Sequence, residues 1–483
     1  MLGIRAPRDL STIVVSTGSL AVGITLVLIA ERVGAVVAFA SLAVAGALVL
    51  VGPTVLRQAR GFIGTLRQHV RWWHGLWLLV LLSSLNFRPR TSQDIEASPV
   101  DSWALFRIVL MGCVAFVLGA RLALKRTAWV ASLFRGLVGA LSAYVVVCVI
   151  SAAWSGYPAW TLYRSCEYGV DVALLAAILA TLKSVESYRT LFDWTLTLYV
   201  GLVSSVWLGL LIWPHLALTP VGGLIGVELE GVLPSIPANG LGELAAVLAI
   251  VAFIRLLQGQ ERLGQRALYV SLFFSSLLTL FLSQARSAMI GLAAGVALVL
   301  LQGRRWLLVA ATVAAPLPLL SGGAREWLYT YFMRGQSSEM FASLSGRMSW
   351  WEATWQDYLK SPLTGLGAYT ARFEVLARLG SSDTSSVHNT YLEVLFGTSF
   401  WGLIAVVAAL LGTWWWLLRV LRSGARGSEE RGLTLEAIGV LSVVTVRSFF
   451  TSHLVAHPSL SFLLVLGCAE FLRRRWKLRG LPS

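Results

Sequence analysis

Ala405-Val-Val-Ala-Ala-Leu-Leu411 is apolar at every position, and it lies inside a longer run, Thr390 to Leu418, that holds one acidic residue, Glu393, and no lysine or arginine. Unbroken apolarity does not fit a half-buried strand or a lipid-facing barrel strand, because both alternate every second residue. It fits a helix buried on all sides, and the run exceeds the roughly 20 residues needed to span a ~30 Å hydrocarbon core. Leu26 to Ala30 has the same character. Over all 483 residues, 57% are hydrophobic and 13% charged, and mean hydropathy is +0.73. The composition is that of an integral membrane protein, and it excludes both a porin-like barrel and an ordinary soluble enzyme.

Cutting the chain at charges, proline and glycine predicts helices over 11–30, 33–56, 74–86, 103–120, 136–153, 168–182, 190–213, 240–254, 267–283, 287–302, 306–320, 390–418, 433–450 and 458–472, of which the short 74–86 could be re-entrant. Arg5 and Arg8 precede the first without a small-residue cleavage site, so it reads as a first transmembrane helix rather than a removed signal. The 39 Lys+Arg against 24 Asp+Glu would suggest nucleic acid in a soluble chain, but here they report topology. With the N-terminus in the cytoplasm, 26 of the 39 fall on the cytoplasmic side, which places both termini there. The segment 57–74, carrying Arg57, Arg60, Arg67 and Arg71 with Trp72 and Trp73, reads as a basic interfacial anchor. Cys113, Cys148, Cys166 and Cys468 are scattered and indicate neither a disulfide framework nor a zinc site.

The one connection too long to be a simple link is 321–387 on the outer side, and its Trp350, Trp351, Trp355, Tyr358, Tyr369 and Phe373 predict folded structure. Outward arginines near hydrocarbon are costly and call for a purpose. Arg286 lies on a tight turn between helices, Arg347 in the long connection, His388 at its exit, and Arg447 inside a helix near its outer end. Guanidinium forks converging on one cavity would suit a pyrophosphate. Such arginines also serve by snorkelling to head groups or pairing locally, and a histidine at a helix start by capping, so position alone leaves these alternatives open. Asp171, Glu243, Glu393 and Glu470 fall in or near spans, and Glu228 and Glu230 in the connection 214–239, without a recognisable pairing. No phosphate loop, H-E-x-x-H or D-x-D pattern supports ATP-driven or metal-dependent chemistry.

Arg286 within Ser283-Gln-Ala-Arg-Ser-Ala288, Gly346-Arg347 followed by Trp351, Pro362 to Gly367, His388-Asn389-Thr-Tyr391-Leu392 and Gly397 to Gly402 together resemble the signature of the O-antigen ligase/polymerase superfamily. Trp154-Ser-Gly-Tyr-Pro-Ala-Trp-Thr-Leu162 and Pro237-Ala-Asn239-Gly-Leu-Gly242 are similar to weaker marks of the same family, and the resemblance covers about 150 to 470. It implies an all-α polytopic membrane fold of the C type of glycosyltransferase, with about 12–14 transmembrane helices and one large periplasmic loop. It further implies transfer of a glycan from an undecaprenyl-pyrophosphate carrier to an acceptor hydroxyl, without metal or cofactor. Arg286 and Arg347 match the arginines that hold the diphosphate, and His388 the catalytic loop histidine. Asn389 and Tyr391 adjoin that histidine as substrate-binding candidates, and Arg447 joins them on position alone.

The expected organisation is 1–100, N-terminal transmembrane helices with the basic interfacial segment; 101–320, helical core; 321–389, periplasmic loop over the active site; and 390–483, C-terminal helices with a basic cytoplasmic tail. Expected partners are the lipid-linked donor, membrane lipids, and either lipid A core (a ligase, the favoured reading) or a second lipid-linked glycan (a polymerase) as acceptor, with no nucleic acid. A transporter of lipid-linked sugars in the bacterial inner membrane is the rival from another class; it would more naturally show an internal half repeat and broken helices. The topology has a direct test: a cysteine introduced at Ser382 should react with an impermeant thiol reagent in intact spheroplasts and one at Ser428 should not, and the reverse pattern would invert the assignment.

Overall fold

The computed structural model describes residues 58–61, 63–64, 70–87, 92–98, 100–124, 127, 129–258, 263–302, 323–381, 386–423 and 428–478. The predicted helices 11–30, 33–56 and 306–320 lie outside the described residues, as do Arg57, Arg67 and Ser382. Each of the other predicted spans is helical. In chain order the helices are α1 (Trp72–Ser84), α2 (Ser102–Ala123), α3 (Gly136–Ser151), α4 (Pro158–Thr181), α5 (Val185–Ile212), α6 (Ala238–Gln258), α7 (Leu263–Leu282) and α8 (Arg286–Gln302). They continue with α9 (Gly323–Met333), α10 (Arg347–Tyr358), α11 (Thr390–Ser423), α12 (Glu429–Ser448) and α13 (Leu460–Leu478). Among the described residues four of these, α2, α5, α6 and α11, are long and apolar enough to cross a membrane, and α3 and α8 are shorter apolar helices. The protein is an all-α membrane protein. Its described strands are confined to two small hairpins, Leu218–Pro220 (β1) with Val227–Leu229 (β2), and Gly231–Val232 with Ser235–Ile236.

The chain forms two compact units, the described residues of Met1–Val70 with Leu196–Ser338, and Arg71–Thr195 with those of Glu339–Ser483; the division between Thr195 and Leu196 falls inside α5. In the first unit, α6 packs on α7 and α8, and β2 lies against α7. In the second, α3 and α13 pack on α11 and on each other, α12 joins α11 and α13, and α4 packs on α3.

The charges that cut the sequence reading short explain why α4 starts ten residues before the predicted 168. Pro158 sits in its first turn, where its missing N–H costs nothing. Arg164 pairs with Glu167, which also accepts from the Tyr163 hydroxyl, so the carboxylate is buried without being bare. The carboxylates that showed no pairing in the sequence have partners in the fold. Asp171 Oδ2 meets His457 Nδ1 at 2.8 Å, Glu470 takes Arg473 and Arg474 at 2.7 and 2.8 Å, and Glu393 accepts from the Val387 N–H at 3.0 Å. Glu436 in α12 is paired with Arg189 at 2.8 Å. The Asp171–His457 and Arg189–Glu436 pairings, 286 and 247 positions apart, are invisible to spacing rules.

α11 is broken near its start: Ser399 has φ 58°, ψ −163°. Beside the break, the Phe396 and Gly397 carbonyls accept from Leu366 N–H at 2.8 Å and Gly367 N–H at 3.0 Å, and the Ser399 hydroxyl donates to the Pro362 carbonyl. The Pro362–Gly367 stretch is therefore a backbone splice onto α11. It has to be glycine-rich: Gly365 has φ 71°, and a Cβ there would come within 2.7 Å of the Gly397 carbonyl carbon. A Cβ on Gly397 would lie 2.9 Å from Ala368 Cα. Overpacking backbone against backbone costs about 1–3 kcal/mol. Gly397→Ala should lower the Tm of detergent-solubilised protein by several degrees, whereas Gly112→Ala in α2, where a Cβ meets nothing within 4 Å, should leave it unchanged or raise it.

Candidate active site

In the first unit, Arg286 opens α8 directly after a turn whose Gln284 has φ 47°. The Gln284 carboxamide donates to the Val227 carbonyl of β2 at 2.7 Å, so the hairpin holds the turn. Gly242 of α6 lets the turn sit close, since a Cβ there would stand 2.2 Å from the Ala285 Cβ. Two family-like stretches, Ser283–Ala288 and Pro237–Gly242, thus meet in one contact. Arg286 donates from Nη1 to the Phe332 carbonyl at 3.1 Å and from Nη2 to Gln336 Oε1 at 3.2 Å. Nearby, Arg334 pairs with Glu228 of β2. Burial pushes the Glu228 carboxyl up to about 7 despite the opposing pull of Arg334, so its charge beside Arg286 depends on pH near neutrality.

In the second unit, Arg347 opens α10 after three residues in left-handed backbone, Leu344 (φ 54°), Ser345 (φ 63°) and Gly346 (φ 81°). For the first two this conformation is costly, and such strain gathers where a side chain must be aimed. Arg347 Nη1 reaches the Phe450 carbonyl at 3.4 Å. His388, itself at φ 55°, stacks on Trp350 of the same helix with ring centres 5.9 Å apart. Its Nδ1 is buried and has no protein hydrogen-bond partner. Burial first, then the positive charges of Arg347, His453 and Arg447, lower its pKa to about 3.

The peptide before His388 is held from both sides. Trp351 Nε1 donates to the Val387 carbonyl at 2.8 Å, and Glu393 accepts from the Val387 N–H. Asn389 and Tyr391 have structural duties here. The Asn389 side-chain oxygen accepts from Tyr391 N–H and Leu392 N–H, both at 3.1 Å, capping α11. The Tyr391 hydroxyl meets Ser448 Oγ at 2.9 Å. Arg447 is buried, 2% exposed, and close enough to His388 to contribute to its field. The structure thus brings Arg347, His388, Asn389, Tyr391 and Arg447 together in the second unit, while Arg286 has its own setting in the first.

Sequence reasoning missed a cavity of about 840 Å³ in the second unit, whose wall includes Trp160, Arg164, Arg372, Ser386, Thr390 and Glu393. Its parts are more than 200 positions apart in sequence. The one signal was the Trp154–Leu162 stretch, whose Trp160 donates from Nε1 to the Tyr369 carbonyl at 3.1 Å and whose Thr161 hydroxyl donates to the Ala368 carbonyl at 3.0 Å.

Residues 271–407 match the Wzy_C family model, described as O-Antigen ligase, which supports the O-antigen ligase superfamily; the match takes in Arg286, Arg347, His388, Asn389 and Tyr391 and ends before Arg447. No curated protein matches the chain. The electrostatics around His388 have a measurable sign. The unfolded chain takes up this proton near pH 6.5 and the folded site near 3, so the contribution of His388 to stability is lost as pH falls between those values. In histidine-labelled protein the His388 imidazole resonance should not titrate between pH 5 and 8, and Arg347→Gln should raise its pKa; titration near 6.5 in the unsubstituted protein would refute the buried, cation-flanked setting.

Proposed function

We propose that this chain, carrying an O-antigen ligase domain, is a membrane glycosyltransferase of the bacterial inner membrane. It moves a glycan from an undecaprenyl-pyrophosphate carrier to an acceptor sugar hydroxyl on the periplasmic face, with both termini in the cytoplasm. The observation that carries the reading is the setting of His388: a neutral imidazole fixed by Trp350 and by the clamped Val387 peptide, with Arg347 and Arg447 beside it.

The acceptor hydroxyl is a poor nucleophile until its proton has somewhere to go. Imidazole takes that proton as the oxygen forms its bond to the anomeric carbon, and the bond from that carbon to the carrier diphosphate breaks with its electron pair. The leaving diphosphate gathers negative charge, which guanidinium groups neutralise as it develops. The same cations link binding to basicity. After burial, the larger cause, they help to hold the His388 pKa near 3, too low for an effective base at neutral pH. A diphosphate bound to Arg347 would offset the cations' part of that lowering and so raise the pKa, while the larger part, burial, stays in place. Arg286, in its own unit, keeps the phosphate-binding role that the resemblance gives it. The lipid A core is the favoured acceptor; a polymerase using a second lipid-linked glycan shares every donor-side step. The supports for the reading are the Wzy_C match and the apolar helices.

His388→Ala should lose about 10² to 10⁴-fold in transfer rate while still binding the lipid-linked donor. His388→Gln is the deciding variant, because it keeps hydrogen bonding and cannot accept a proton at neutral pH: near wild-type transfer would make His388 a positioning residue. Arg347→Lys and Arg286→Lys, tested separately, should insert normally and lose most transfer, since lysine retains charge but not the bidentate fork. EDTA should leave the rate unchanged; loss restored by Mg²⁺ would overturn metal-free transfer.

A further inference from the structure

The cavity of about 840 Å³ is not needed to explain His388 or the arginines beside it, yet it shares a wall with the segment that carries His388. Ser386, Thr390 and Glu393 face it, and so does His453, whose charge is felt at His388. The lining is also aromatic. Trp160 is fixed through its indole N–H, and Tyr157 stacks on Phe373 with centres 4.5 Å apart. Flat, immobile aromatic faces suit the apolar face of a sugar ring.

The charge on the wall is lopsided. In the lining itself Arg107, Arg164 and Arg372 supply three guanidinium groups against one carboxylate, Glu393; behind it lie Glu167, which pairs with Arg107 and Arg164, Asp171 on His457, and Glu374 beside Gly156. Arg372 is 7% exposed, and its guanidinium lies over the Trp160 ring, 5.7 Å from the ring centre, so the aromatic and the fork are neighbours in the lining. Two polar atoms in the lining, Ser386 Oγ and Trp103 Nε1, are buried and have no protein hydrogen-bond partner. Buried polar atoms are rarely left in that state, and polar groups of an occupant are one way to satisfy them.

We propose that this cavity is the acceptor subsite and that it takes a sugar bearing an anionic group, phosphate or carboxylate, with the ring against Trp160 and the anion on Arg372 and Arg107. The assignment as an acceptor subsite rests on the transferase reading; binding of an anionic sugar does not. An occupant would lie against Ser386 and Thr390, the two ends of the segment that carries His388.

The test is direct binding to the purified full-length protein in detergent, using glucose 6-phosphate, glucuronic acid, glucose and inorganic phosphate as probes. At least one anionic sugar should bind saturably and about tenfold or more tighter than either glucose or inorganic phosphate, because only it uses both ring and fork. The phosphate and carboxylate arms then identify the anion. Arg372→Gln and Trp160→Leu should each weaken that binding about tenfold, Trp160→Phe should largely retain it, and Arg107→Gln, a half-exposed position, serves if Arg372→Gln does not fold. Equal affinity for glucose, no saturation, or binding indifferent to folded Arg107 and Trp160 variants would overturn the proposal. So would displacement of the sugar by farnesyl diphosphate at matching low concentration, which would give the cavity to the donor. In membranes, the same variants should raise KM for the acceptor and leave KM for the donor unchanged. Binding that behaves as expected in a protein showing no transfer would preserve the anionic-sugar site and refute the transferase reading alone.

Discussion

A carboxylate on a helix in hydrocarbon has no water to fall back on, and this requirement organises the second unit. Glu436 and Glu470 are 0% exposed, Glu167 is 3% exposed, and each is answered by arginine. Burying such pairs gains little net stability over an apolar core, because desolvation consumes most of the attraction. Removing one partner is another matter, since it strands a charge. The pairs therefore act as registers. Arg189 finds Glu436 from 247 positions away, and Glu470 caps the start of α3 through the Leu137 N–H at 3.1 Å, so α5, α12, α13 and α3 are fixed in rotation and depth as well as pressed together.

The apolar runs were enough to locate most of the described helices, because continuous hydrophobicity over about 20 residues has few other solutions. Where the reading erred, polarity was the cause. α4 was cut short at Arg164 and Glu167, which pair with each other, and α12 starts at Glu429 and Glu430, whose charges suit a helix N-terminus. The break at Ser399 left no trace. Neither proline nor a doubled glycine marks it, and what makes it tolerable, the Pro362–Gly367 splice, lies more than thirty positions upstream.

The candidate site divides along the same line. Arg286, Arg347 and His388 stood out because cations near hydrocarbon demand explanation and because local motifs surround them. The cavity could not be read, since Arg107, Arg164, Arg372 and Glu393 belong to four separate elements and each alone resembles an ordinary helix-end charge. The glycines in the family-like stretches turned out to mark close contact instead of chemistry: Gly242 against Ala285, and Gly365 against Gly397. They hold the reactive side chains in place without touching a substrate.

The Val387 peptide, gripped by Trp351 on its carbonyl and Glu393 on its N–H, gives the cavity two walls of unequal freedom. Any substitution at Trp351 or Glu393 would shift His388 with it, so that wall is closed to variation. Trp160 is held separately, through its indole N–H to the Tyr369 carbonyl, whereas the segment carrying Arg372 packs through Ala371, Val375 and Leu376 against Val387, Trp350 and Trp351. Drift in which sugar is accepted should therefore accumulate around Trp160 before it touches Arg372, and anyone redesigning the cavity would begin there.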